Sequence, residues 1–171
     1  MIKNLITYEE ISQLARPCSA EQETAEAMIA EAQRVEVKPR VGDALYLAMT
    51  KAPDDARFKV LLSGGEWSGR CGSPRLLTGI KTALAYYALA RIIRDGNIQA
   101  TTYGAVVKDD QYSFEAEKAE RQRQYRELFG QADTYMAEAI QYLTENCKDF
   151  PEYTVQGKMR SNRTTIKIIG K

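Results

Sequence analysis

Histidine is absent from all 171 residues. That removes the side chain that most often acts as general base or metal ligand near neutral pH, and every Ser–His or Cys–His nucleophile pair with it. Cysteine is nearly as scarce. Cys18, Cys71 and Cys147 are odd in number, far apart and without a CxxC, so reduced thiols in a cytoplasm are expected rather than a disulfide framework or a thiolate metal site. No apolar run approaches the ~18 residues needed to span a bilayer. The opening MIKNLITYEE has no signal-peptide apolar stretch before its first acids. A net excess of charge is missing too: 24 basic against 23 acidic residues leave +1, which makes the whole molecule no electrostatic trap for nucleic acid.

Phosphate-loop chemistry is also lacking. The glycines of SGGEWSGRCG are not followed by Gly-Lys-Ser/Thr. The adjacent acids Asp109 and Asp110 read as solvated turn residues rather than as a cation site or an acid–base pair. Tyr86 and Tyr87, inside an apolar stretch, read as core rather than as catalytic phenols. The expectation is a protein without catalytic, cofactor or metal chemistry, hence not an enzyme.

What is present is an ordinary globular composition, 44% hydrophobic and 27% charged, with enough apolar material for one cored domain plus an appendage. Thr7 followed by Glu10 forms a capping box before Ile11 and Leu14. A second helix is expected from Ser19 as N-cap, with Ala25, Met28, Ile29, Ala32 and Val35 on one face and a break or kink at Lys38-Pro39. VGDALYLAMT predicts a short helix with Leu45, Ala48 and Met49 inward. DDARFKVLLSGG predicts another, opened by an aspartate cap and stopped by Gly-Gly. EWSGRCGSP reads as a turn or small hairpin, with Trp67 as the anchor that pins it.

From Leu76 to Arg94 the sequence is apolar on most faces, the mark of a central helix; its arginines lie toward the end that favours cations. A long helix follows, capped by Ser113 and running to about Cys147. Its first part, EAEKAERQRQ, offers only alanines for burial, so it should overshoot the core. Gly130 is a candidate bend.

Two segments fit no helix. Between the two longest helices, residues 96–112 contain TTYGAVVKDDQY, which is long for a connection in a compact domain. The last eighteen residues carry Lys158, Arg160, Arg163, Lys167 and Lys171 and no acid, with a β-prone TTIKII. By contrast, residues 1–37 hold seven acids against three bases. The expected fold is therefore mainly α: a helical bundle over 1–153 with an extended arm at 96–112, and a basic tail at 154–171. Arm, overshooting helix and tail make sense as surfaces for a neighbouring subunit, onto which the AVV backbone could pair.

The succession GIKTALAYYALARII, TTYGAVVKDDQYS and YLTENCKDFPEY, over residues 5 to 153, resembles small helical proteins of tailed phages and prophages of gut Bacteroidetes. By architecture these are similar to the head–tail connector (adaptor) proteins of long-tailed phages. The resemblance implies a structural virion protein of the neck, made in the host cytoplasm. It would form a ring of about twelve subunits between the portal and the tail, its partners being itself, the portal protein, the next connector, stopper or tail protein, and genomic DNA passing through unread. Carried over by position, Ile98, Thr101, Thr102, Tyr103, Gly104, Val106, Val107 and Lys108 would form the subunit-interface arm. Lys158, Arg160, Arg163, Thr165, Ile166 and Ile168 would form the portal-docking tail. The alternative expectation is a helical protein that binds nucleic acid or another partner through that tail, with salt-sensitive affinity.

Overall fold

The computed structural model describes residues 3–69, 72–95, 98–101, 104–107 and 118–153. It is mainly helical, as expected. Helix α1 (Tyr8–Leu14) is opened by the Thr7–Glu10 capping box, both reciprocal bonds being formed. Helix α2 (Gln22–Ala32) begins later than Ser19: its N-cap is Glu21, which contributes no side-chain bond. The reason lies just upstream. The Cys18 amide donates to Ser12 Oγ and the Cys18 carbonyl accepts from Tyr8 Oη, so this stretch is tied back to α1 rather than free to start a helix.

After α2 the chain makes a π-helical turn over Gln33–Val37 and then α3 (Lys38–Val41), with Pro39 in its first turn. Lys38-Pro39 therefore does not end the helical path. The chain instead stops at Gly42, whose φ is 84°. A π turn carries more residues per turn and rotates everything after it. Val35, expected inward, is consequently 52% exposed, while Gln33, Val37 and Val41 turn into the core. Gln33 is satisfied there, accepting from the Leu5 amide and donating to the Lys3 carbonyl.

Helix α4 (Asp43–Lys51) buries Leu45 and Met49 as expected, and Tyr46 and Thr50 as well. Asp55 caps a 3-10 turn that leads into α5 (Lys59–Ser63). Strands β1 (Gly65–Ser68) and β2 (Pro74–Leu77) pair antiparallel, Gly65 opposite Leu77, to give the small hairpin expected here. Leu76 and Leu77 belong to β2, so the central helix α6 spans Ile80–Asp95 and starts later than its apolar sequence suggests. Two glycines close this corner. At Gly64 (φ +83°) a Cβ would lie 2.5 Å from the Leu77 carbonyl oxygen, and at Gly79 (φ +96°) 2.5 Å from the Gly64 nitrogen, distances no other residue tolerates.

Helix α6 is buried on most faces, from Ile80 and Ala83 to Ala90 and Arg91. It packs chiefly on α7 (Lys118–Glu145), then on α2 and α1. A turn follows α7, and Phe150 and Tyr153 fold back into the core, Phe150 against Phe58 and Tyr142. Trp67 meets the edge of Tyr142 at 5.1 Å and so pins the β1–β2 hairpin to α7.

Gly130 interrupts nothing: α7 runs through it unbroken, and a Cβ there would meet no atom within 4 Å. Gly130→Ala is therefore expected to stabilise the fold by about 0.5–1 kcal/mol, read as a higher urea midpoint at unchanged slope.

Candidate subunit interface

Strands β3 (Ile98–Thr101) and β4 (Gly104–Val107) occupy the arm. They pair antiparallel with each other, Ile98 opposite Val107 and Thr101 opposite Gly104. The arm is extended, as expected, and doubles back on itself: Ala105, Val106 and Val107 stand opposite Ala100, Gln99 and Ile98 of the same chain, each strand of the two-stranded sheet keeping its outer edge. Ile98, Thr101, Gly104, Val106 and Val107 thus lie in one hairpin. Thr102, Tyr103 and Lys108, with Asp109, Asp110 and Ser113, lie outside the described residues, as do Cys71 and the whole tail set Lys158, Arg160, Arg163, Thr165, Ile166 and Ile168. Unlike β1 and β2, which pack on α5 and α7, neither β3 nor β4 packs broadly on a described helix.

The hairpin is carried by α6 and α7, and their junction is held by charge. Arg94, in the last turn of α6, chelates Asp95 and lies over the Tyr125 ring of α7 at 4.7 Å. One turn earlier, Arg91 is buried and reaches Glu31 of α2 at 2.5 Å and Glu36 of the π turn at 2.8 Å. Among the described residues its Nε is buried without an acceptor. Glu36 also accepts from Arg40 of α3 at 3.2 Å, and Arg40 reaches Asp133 of α7 at 2.7 Å. The Tyr87 hydroxyl of α6 donates to the same Asp133 oxygen at 2.5 Å. Burial, then the bond to Asp133, push the Tyr87 phenol far above its usual pKa, so it stays a donor throughout the ordinary pH range. The six residues form one chain of bonds across α2, the π turn, α3, α6 and α7.

This chain orients helices; it offers no nucleophile. Tyr86, expected as core, meets Tyr135 edge to face at 5.3 Å. Among the described residues no three His, Cys, Asp or Glu side chains gather as a metal site, and no helix is long and apolar enough to cross a membrane. Sequence reading assigned Arg91 only to the helix dipole. Its spacing of four from Tyr87, on a helix otherwise apolar, is the signal that could have marked both as one buried polar face.

Helix α7 buries nothing before Leu128. Tyr125 is nevertheless partly buried against the core, under Arg94, and Glu127 pairs with Arg16, so the first ten residues do not all stand clear of the bundle as the EAEKAERQRQ composition suggested. Further along, an open cleft of about 500 Å³ is lined by Arg40, Asp133, Met136, Ala137, Ile140 and Tyr153.

Residues 37–163 match the model of a family of unknown function, DUF6712. The match covers well over half of the chain, and the protein belongs to that family. Neither a curated protein nor a solved structure matches it.

Proposed function

We propose that this DUF6712 member is a structural virion protein, a head–tail connector subunit that closes into a ring between portal and tail and continues the DNA channel. On the resemblance the ring has about twelve subunits. One observation carries the reading. The β3–β4 hairpin is inserted between the two helices that pack most closely on each other, yet it packs broadly on neither. A lone two-stranded hairpin is marginal in water, so such an insertion gains its stability from a neighbouring subunit. The start of α7, which buries no residue fully before Leu128, offers further surface. The acidic residues 1–37 and the basic tail suit a head-to-tail ring, in which one face complements a different one.

Native mass spectrometry over a range of concentrations, with and without a short DNA duplex and with purified portal added, tests this. A closed oligomer of about twelve copies, indifferent to DNA, is the expected result. A protein that stays monomeric even with portal present overturns the ring. A monomer that takes up DNA and releases it steeply as salt rises makes the basic tail a nucleic-acid binder instead.

A further inference from the structure

The β1–β2 hairpin turns one face inward and one outward. Gly65, Trp67, Arg75 and Leu77 alternate with Glu66, Ser68, Pro74 and Leu76, and the second set is exposed. The outward face of such a hairpin is normally polar. Leu76 nevertheless stands there 72% exposed, more than Val35 or Leu47, the other exposed large apolar side chains among the described residues. Its base is well tied down. Trp67 packs on Tyr142, Arg75 reaches Glu145 at 2.7 Å and lies over the Trp67 ring, and Thr78, just after β2, donates to Glu138. A side chain presented on so fixed a base costs little ordering when it is covered.

Those contacts put the hairpin on one flank of α7. At about 100° per residue, Glu138, Tyr142 and Glu145 cluster on one side of the helix, and the cleft residues Asp133, Met136, Ala137 and Ile140 on the other, roughly 160° away. The buried stripe of Leu128, Ala132, Ala139 and Leu143 runs between the two flanks. An apolar knob and an apolar-walled cleft therefore face opposite ways on one subunit, and Leu76 is not among the residues that line its own chain's cleft. Val35 and Leu47 lie in the segments on either side of α3, which itself supplies Arg40 to the cleft.

We propose that the cleft of one copy receives Leu76 and Pro74 of the next. The proposal rests on the head-to-tail association above and names one of its contacts. Met136, Ala137 and Ile140 supply the apolar wall, and Ala137, small and exposed, leaves it open. The cleft's volume of about 500 Å³ is in the range that takes up a bound group. A contact whose halves sit on opposite flanks of one helix is heterologous and repeats from copy to copy.

The full-length protein tests this, with purified portal added where the protein alone stays monomeric. Leu76→Asp and Ala137→Arg, both at exposed positions, are expected to keep the melting temperature within about 2 °C. Each should raise the concentration of half-assembly by about tenfold or more. A second readout is geometric. With Cys18, Cys71 and Cys147 replaced by serine, Leu76→Cys and Ala137→Cys are made in separate proteins, mixed and treated with a short bismaleimide. A bridge joining one of each is expected. A protein that stays monomeric with portal present overturns the association and this contact with it. An assembly that forms normally from both charged variants, or in which the two positions do not bridge, overturns the contact alone. Shielding of the Ala137→Cys thiol in an assembly without that bridge gives the cleft to another occupant and likewise overturns it.

Discussion

Arg91→Ala is expected to cost about 3–5 kcal/mol of folding stability, the penalty for removing one partner of a buried ion pair. In a domain of this size that lowers the melting temperature by roughly 10 °C. The effect is large because of what is left behind rather than what is lost. Arg91 is 7% exposed and its partner Glu36 has a side chain 13% exposed, so without the guanidinium Glu36 is left with Arg40 alone, at 3.2 Å. Glu31 is half in solvent, where water replaces the arginine, and Glu31→Gln should cost under about 1 kcal/mol. Arg91→Met separates charge from bulk: it keeps an apolar stem in the core but still leaves Glu36 with Arg40 alone. Pairing it with Glu36→Gln removes both charges and should recover much of the loss. Urea unfolding of the two single variants and the double one gives the coupling directly. A loss below about 1 kcal/mol for Arg91→Ala would mean that the buried charges do not hold α2, the π turn and α6 together.

The same residue marks where sequence reading stopped. Local signals were legible: Thr7 and Glu10 form their capping box, the aspartate cap and Gly-Gly bracket the 56–63 segment, and EWSGRCGSP lies in a β1–β2 hairpin pinned by Trp67. The central position of α6 followed from its apolar circumference. The π turn at Gln33–Val37 was not legible, because a periodicity argument assumes 100° per residue and a single wide turn resets the phase without changing composition. Val35 left the apolar face for that reason. Arg91 was misplaced because helix-dipole logic treats an arginine near a C-terminus as solvated, and only tertiary packing brings Glu31 and Glu36 to it. The arm was recognised as extended but not as a hairpin. Its connection reads Thr-Tyr and lacks the Asn-Gly or Asp-Gly signature of a two-residue turn, so nothing local showed that GAVV would find IQAT in its own chain.

That hairpin sets up the sharpest division between folding and assembly. Deleting residues 97–111 is expected to leave the bundle folded and to abolish ring formation altogether. Twenty-two residues separate Asp95 from Lys118. The deletion leaves seven of them, which extend to about 23 Å. The gap is within that reach: Arg94 already touches Tyr125, seven residues into α7, or ~10 Å from its first residue. Shortening the connection lowers its closure entropy and favours folding by about 1 kcal/mol. Against this stands the packing of the hairpin on its own bundle, and among the described residues neither β3 nor β4 makes a broad contact with a helix. The melting temperature should therefore stay within a few degrees of the full-length value. The ring has no such compensation. If β3 and β4 find their second surface on the next subunit, every interface in a closed ring loses the same contact at once, and the population should shift from oligomer to monomer at all accessible concentrations. An unfolded deletion variant would assign the hairpin to the chain's own core. A folded variant that still closes into a ring would leave the first turns of α7 as the surface that joins one subunit to the next.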